Sequence, residues 1–295
     1  MTTSSGLLLV DKAAGLTSHD VVAQVRKIVN QRRVGHAGTL DPMATGLLVV
    51  AVGTATRLLR FAQSEVKHYT GTVTFGVATD SLDADGAVVA NADVPELSQE
   101  LVDTATLTLL GAQTQIPPMV SALKVGGRRL HEMARMGLEV ERAPRDITIS
   151  SLRLAPTAER TQWDFDVECS VGTYVRVLLS DLALRLGTIG HLSALRRSAS
   201  GSFQVTNAVT LEQLATMTSA GNSPLQPPRA MVTGLDRVTL DADQEVKMRC
   251  GQRLALDVTT EQFEIAAFDR DDDLIGILRR RADVWKPELV LTIDE

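Results

Sequence analysis

The sequence predicts an α+β fold, and three observations predict it. Residues 163–171, WDFDVECSV, alternate without a fault: Trp163, Phe165, Val167, Cys169 and Val171 against Asp164, Asp166, Glu168 and Ser170. That is the period of a half-buried strand. Residues 18–30, SHDVVAQVRKIVN, instead place Val21, Val22, Val25, Ile28 and Val29 at helical spacing. Residues 236–295 read as a small β-rich module.

The elements follow in order. Thr17 with Asp20 three residues on is a capping-box start for the helix over 18–30. In HYTGTVTFGV, residues 68–77, Tyr69, Val73, Phe75 and Val77 share one face and Thr70, Thr72 and Thr74 the other, so Tyr69 has the phase of the buried side. The strand over 163–171 runs through Gly172, Thr173, Tyr174 and Val175 to Arg176 and into an amphipathic helix ending near Gly187. Arg176 therefore stands at a strand-to-helix junction, where functional side chains are often displayed. The stretch SAGNSPLQPP, residues 219–228, is the strongest break and reads as a loop or linker. Beyond it, Phe263–Phe268, a turn over 269–273 and Leu274–Leu278 form a hairpin candidate. Two domains are expected, 1–234 and 235–295, with no internal repeat.

Composition narrows the class. At 295 residues, 44% hydrophobic and 22% charged, the chain can bury a full core without staples. Cys169 and Cys250 lie far apart and form no CxxC pattern, which argues against a disulfide framework or a zinc site and fits a reducing compartment. The apolar run Leu7–Val10 is too short for a signal peptide or a membrane span, so a cytoplasmic protein is expected. Net charge is −6, with 30 basic and 36 acidic residues. Residues 235–295 carry 9 of the basic and 15 of the acidic ones, the whole imbalance, which leaves the first 234 residues neutral. Within that neutral part cations cluster at Arg26, Lys27, Arg32 and Arg33, at Lys124, Arg128 and Arg129, and at Arg196 and Arg197. Such patches serve either as solvated faces or as phosphate contacts.

The loop GHAGTLDPMATG, residues 35–46, carries a lone carboxylate, Asp41. It is neither a phosphate-binding P-loop nor a dinucleotide fingerprint, because the lysine and the glycine spacing those motifs need are absent. Pro42 holds Asp41 extended, and the glycines let a ligand or another backbone approach. With no second carboxylate nearby it is not a glycosidase pair. From composition alone Asp41 is either a turn residue capping its own backbone or a nucleophile or base.

GHAGTLDPMATGLL resembles the catalytic signature of the TruB family of tRNA pseudouridine synthases. Other blocks are similar to that family in the same order: LLLVDKAAGLTSHDVV, KHYTGTVTFGVATDSLDADG, QIPPMVSALKVGGRRLHEMAR, GTYVRVLLSDLALRLG and GHLSALRRSASGSF, together spanning residue 7 to about 210. The resemblance implies a pseudouridine synthase fold, a central mixed and mainly antiparallel sheet flanked by helices, followed by a small PUA-like module. It implies isomerisation of the T-loop uridine of tRNA (position 55) without cofactor or metal, by a monomer, with tRNA as partner and no protein partner. Residue by residue, it implies Asp41 as the nucleophile, Arg176 as its bidentate partner and Tyr69 against the target base. It places His36 in the space vacated by the flipped nucleotide, Lys12 near the pocket wall, Tyr174 in support of the arginine motif, Leu195 against the base and Asp83 on the RNA side. Lys124, Arg128 and Arg129 fall in an RNA-gripping insertion at about 120–150. Val120 departs from the family, which usually has an aromatic before Ser-Ala. A non-catalytic tRNA-binding or folding protein is the alternative, and an aspartate-dependent hydrolase a weaker one. A pure binder would not need Asp41, Tyr69 and Arg176 together.

Overall fold

The structure is a computed structural model that describes residues 5–63, 66–121 and 123–291; the side chains of residues 124, 125, 129, 131, 132 and 135 lie outside the description. Strand β1 (Gly6–Lys12) leads into helix α1 (Ser18–Ile28), and β2 (Val34–Ala37) and β3 (Thr45–Val52) flank the loop that carries Asp41. Next come β4 (Val66–Phe75), the hairpin β5 (Val77–Thr79) and β6 (Val88–Asn91), α2 (Gln99–Leu107) and β7 (Gly111–Gln115). A small unit follows, β8 (Lys124–Val125), β9 (Arg128–Arg129) and α3 (Leu130–Arg135). The body closes with β10 (Arg145–Pro156), β11 (Gln162–Ser170), α4 (Val175–Arg185), β12 (Gly190–Ser200), β13 (Phe203–Gln204) and α5 (Leu211–Ser219). The last segment holds β14 (Arg237–Thr239), α6 (Ala242–Arg249), β15 (Glu264–Phe268), β16 (Leu274–Arg281) and β17 (Val284–Val290).

The main sheet has the order β1-β3-β12-β4-β11-β10-β7, with β2 paired to β3 and β13 to β12. Among the described residues its one parallel pairing is β12 with β3; the other pairs are antiparallel. This is the mixed, mainly antiparallel sheet that the resemblance to the family implies.

Burial explains the patterning. The alternating strands β4 and β11 turn Tyr69, Val73, Phe75, Trp163, Phe165 and Val167 into a core shared with α2 and α4, and leave their polar phase open. Strands β1 and β3 are apolar on both phases because both faces are covered. Leu8, Val10, Leu48 and Val50 pack with Val21, Val22 and Val25 of α1 and Leu214 of α5. Leu7, Leu9, Leu47 and Val49 meet Ala266, Phe268, Ile277 and Leu289 of the C-terminal sheet. Each fully buried aliphatic side chain contributes about 1.5–3 kcal/mol, so the C-terminal sheet is docked on the body through a shared core. It also keeps a core of its own with Met248 of α6, Ile265, Ile275 and Trp285.

The capping box of α1 forms as its sequence requires, with Thr17 and Asp20 bonded reciprocally. Two stretches differ from the expectation. Residues 219–228 are no free linker: Gln226 exchanges both backbone hydrogen bonds with Leu7, at 2.9 and 2.8 Å. The insertion ends before 150, because Arg145 already pairs with Gln115 in the main sheet. No helix among the described residues is long and apolar enough to cross a membrane.

Candidate active site

Asp41 is displayed by a pinned loop. Leu40 and Ala44 on either side are buried in the core below. The Leu40 backbone is clamped at both ends by one hydroxyl: its N–H donates to Ser18 Oγ (2.9 Å), and Ser18 Oγ donates to its carbonyl (3.1 Å). Lys12, fully buried, donates to the carbonyls of Ala13, Leu16 and Pro42 at 2.9, 2.7 and 3.1 Å, tying the loop to the end of β1. Gly46 lets the chain leave the loop into the parallel pairing with β12. Its φ is +96°, and a Cβ there would stand 2.3 Å from the Arg197 carbonyl oxygen. Glycines and apolar anchors together hold the carboxylate still.

Arg176 comes from the first turn of α4. The turn is set by the backbone of Tyr174, whose N–H donates to Gln115 Oε1 (2.8 Å) and whose carbonyl accepts from Gln115 Nε2 (3.2 Å). Arg176 is 2% exposed, and its guanidinium uses all three nitrogens. Nε meets Asp41 Oδ2 at 3.0 Å, Nη1 meets Asp83 Oδ2 at 3.3 Å and donates to the Ser81 carbonyl at 2.6 Å, and Nη2 donates to the Val120 carbonyl at 2.9 Å. A cation at a helix N-terminus is opposed by the helix dipole, and two carboxylates and two carbonyls offset that here.

One expectation is corrected by this geometry. The Asp41–Arg176 pair is not a bidentate fork, because the other guanidinium nitrogens are taken by Asp83, Ser81 and Val120. Asp83, which the resemblance puts on the RNA side, is buried beside this pair and lines a neighbouring cleft with Asp41 and Arg176. It is 5% exposed, accepts from Ser81 Oγ and from the Asp85 N–H, and shares Arg176 with Asp41.

The Asp41 side chain keeps 35% exposure against 2% for Arg176, so the carboxylate opens to the cavity while its partner is sealed. Burial pushes the Asp41 carboxyl above the ordinary 3.8; the Arg176 guanidinium opposes the shift and Asp83 adds to it. The cavity, about 300 Å³, is lined among others by Asp41, Tyr69, Tyr174, Arg176, Leu195 and Arg197. That volume is at the lower end for a small-molecule site and suits a single nucleotide base. Tyr69 is buried and its phenol is raised by that burial, so it stays protonated at neutral pH; the Arg197 guanidinium beside it partly offsets the shift. The Tyr174 phenol is raised for the same first reason, with Ser121 opposing.

Other expected residues stand elsewhere. His36 lies in β2 rather than in a loop, half-buried and outside this cavity. Its ring meets His19 edge-on at 5.5 Å, and its buried Nδ1 has no partner among the described residues. Arg128 is exposed on the β8–β9 hairpin; the backbones of Lys124 and Arg129 are on the same hairpin and their side chains lie outside the description. The Arg196–Arg197 pair is not a free patch. Arg196 forks onto Asp11 at 3.0 and 2.7 Å, and Arg197 is 1% exposed with Nε donating to the Leu47 carbonyl at 2.7 Å. Two cavity-lining cations, Lys67 and Arg197, were not expected as site residues. Lys67 was readable, since it shares the phase of Tyr69 two residues later. Arg197 was not, because bulges at 192/194 and 197/199 break the period of β12. Among the described residues no group of three or more His, Cys, Asp or Glu is placed to hold a metal.

Comparison with known proteins identifies the family. Residues 26–175 match the model of the TruB family pseudouridylate synthase N-terminal domain, and residues 176–244 that of the tRNA pseudouridylate synthase B C-terminal domain. The chain is 42% identical over 294 residues to tRNA pseudouridine synthase B of Streptococcus pneumoniae serotype 4, covering 98% of this chain and 100% of that protein. It is 40% identical to the protein of the same name from Lactococcus lactis subsp. lactis, covering 97% and 98%. In fold it is similar to a chain of the Cbf5-Nop10-Gar1 complex, with TM-score 0.73, 24% identity and coverage of 97% and 84%. It is also similar to a chain of an H/ACA RNP bound to a substrate RNA containing 2'-deoxyuridine, with TM-score 0.74, 21% identity and coverage of 97% and 85%. The chain belongs to the TruB family of pseudouridylate synthases.

Proposed function

We propose that this protein isomerises the T-loop uridine of tRNA, position 55, to pseudouridine, with Asp41 as nucleophile. The observation that carries the reading is the meeting of Asp41, Tyr69 and Arg176 in one cavity, with the carboxylate open to it and the guanidinium closed off. A base inside a folded loop must be turned out to be reached. In this cavity it would lie against the Tyr69 ring, with Leu195 on the wall. Stacking on an aromatic face is worth about 1–3 kcal/mol. Asp41, whose ionised form the Arg176 guanidinium favours against the effect of burial, attacks the nucleotide. The N1–C1′ bond breaks, the base turns, C5 bonds to C1′ as the bond to Asp41 is broken and the carboxylate is released, and the C5 proton is lost as N1 regains one. The isomerisation changes neither composition nor oxidation state, so the reaction itself calls for no redox cofactor. Exposed Arg128, with Lys124 and Arg129 on the same hairpin, would contact phosphate, which positions the RNA without reading it.

The C-terminal sheet is proposed as a PUA-like module that braces the body more than it grips RNA. It holds the acidic imbalance of the chain and gives one face to the shared core. A monomer working on tRNA in the cytoplasm completes the reading. The test is to incubate an unmodified tRNA transcript with the protein and map pseudouridine by nucleoside digestion and site-specific labelling. Product at the T-loop uridine supports the reading. Bound tRNA with no product anywhere would replace it with a non-catalytic tRNA-binding protein.

A further inference from the structure

Two buried lysines stand near the Asp41 loop, and they are built differently. Lys12 sits in a cage of three carbonyls, which is what a structural ammonium needs. Lys67, on β4, is 7% exposed, yet no carboxylate among the described residues forms an ion pair with it. The groups facing it give little compensation. From β12 comes the Arg197 guanidinium, a like charge; from β11, directly opposite in register, comes Cys169, whose thiol is pushed up to about 11 by burial and stays neutral. Tyr69, on its own strand, is a neutral phenol, and Asp41 lies elsewhere on the cavity lining, paired to Arg176. The Lys67 ammonium is lowered to about 8, first by burial and then by Arg197.

The geometry says where this cation points. At Gly38, with φ +88°, a Cβ would sit 3.2 Å from Lys67 Nζ and 3.5 Å from Arg197 Nη1, so both cationic heads stand over one backbone position. Both residues line the cavity that holds Asp41 and Tyr69. Arg197 is spent on the carbonyls of Leu47, Gly38 and Thr39. Lys67 is left as the cation available to whatever enters.

Resting on the pseudouridine reading above, we infer that Lys67 is a further catalytic residue: its ammonium donates a hydrogen bond to a carbonyl oxygen of the detached uracil and stabilises the negative charge that bond cleavage leaves there. When N1–C1′ breaks heterolytically, the electron pair stays on N1 and spreads to the neighbouring carbonyl oxygens, giving a uracil anion. Lys67 transfers no proton; it remains an ammonium through base rotation and through formation of the C5–C1′ bond, after which the base is neutral again. A preorganised donor in a dry site, aimed at charge that exists only after cleavage, lowers the barrier without tightening substrate binding.

The test compares wild type, Lys67→Met and Lys67→Arg on an unmodified tRNA transcript, by single-turnover rate at saturating enzyme, tRNA Kd, melting temperature and the pH profile of kcat/KM. Lys67→Met should slow the single turnover by about 100- to 1,000-fold, the effect of removing one such donor, with Kd unchanged. Because the folded pKa is depressed, the charged form opposes folding below pH 8, so Lys67→Met should melt no lower than wild type. The wild-type profile should fall as pH rises through about 8. Lys67→Arg should recover part of the rate and lose that alkaline limb, since guanidinium stays charged. A Lys67→Met protein that turns over like wild type overturns the inference, as does one that loses tRNA affinity at unchanged rate, which would make Lys67 a phosphate contact. A lower melting temperature matched by equal loss in Lys67→Arg would make it structural and overturn it too. If wild type itself forms no pseudouridine, the parent reading fails as well; if wild type turns over and Lys67→Met keeps pace, this inference alone fails.

Discussion

Replacing Arg176 by lysine keeps the charge and removes the shape. The guanidinium reaches four groups from three nitrogens: Asp41, Asp83, and the carbonyls of Ser81 and Val120, at 3.0, 3.3, 2.6 and 2.9 Å. An ammonium is a single point on a flexible stem and cannot span partners that diverge around a plane. In the place of Arg176, a lysine can keep one carboxylate and one carbonyl and strands the rest. Each hydrogen bond to a charged group contributes about 1.5–3 kcal/mol, and breaking a buried pair costs about 3–5 kcal/mol. Arg176→Lys should therefore lose about 3–5 kcal/mol of stability, a fall in melting temperature of roughly 10 °C for a chain of this size. Asp41, no longer held at Oδ2, should drift from its attacking position, and a misplacement near 1 Å costs about 100-fold in rate. The assays are thermal melting and single-turnover pseudouridine formation on a tRNA transcript. A variant that melts within about 2 °C of wild type and turns over at its rate would refute the view that the planar reach of the guanidinium matters.

Three further outcomes follow from particular contacts. Gly46→Ala should destabilise the fold severely, because φ is +96° and the new Cβ would meet the Arg197 carbonyl oxygen at 2.3 Å; a wild-type melting temperature would contradict this. The Asp41 carboxyl is raised above 3.8 and must be ionised to attack, so kcat/KM should fall as pH drops through a value above 3.8, and an acid limb at or below 3.8 would count against the assignment. Lys124→Ala combined with Arg128→Ala should weaken tRNA binding and flatten its salt dependence by a slope of about 2, near one unit for each phosphate contact removed; an unchanged slope would exclude the hairpin from phosphate contact.

How much of this was legible depends on the range of the cause. Local signals were readable. The alternation of β11 and β4 gave both strands and the buried phase of Tyr69, and Thr17 with Asp20 gave the start of α1. The junction at Arg176 was visible because strand and helix periods meet there. What the sequence hid depends on pairings across the fold. That β3 and β12 run parallel, fixing Gly46 and Arg197 against each other, involves residues about 150 positions apart. Asp83 was placed on the RNA side by the resemblance alone, and only the tertiary approach of α4 makes it a buried partner of Arg176. The basic dipeptide Arg196–Arg197 read as one patch, but adjacent strand residues face opposite ways. One side chain reaches Asp11 and the other the site. Lys67 was hidden by no long-range effect: it sits in phase with Tyr69, and a lysine on a buried phase is itself the signal.

The central claim is that Asp41 is the nucleophile, held in place by a structure that binds RNA independently of it. Asp41→Asn tests it most directly, because the amide keeps the size and shape of the side chain and removes the carboxylate. The measurement is pseudouridine formed at the T-loop uridine, taken together with tRNA Kd, for wild type and variant. The account predicts no detectable product from Asp41→Asn with tRNA affinity nearly intact. Retained turnover in Asp41→Asn, or a loss of affinity with turnover kept, would contradict it.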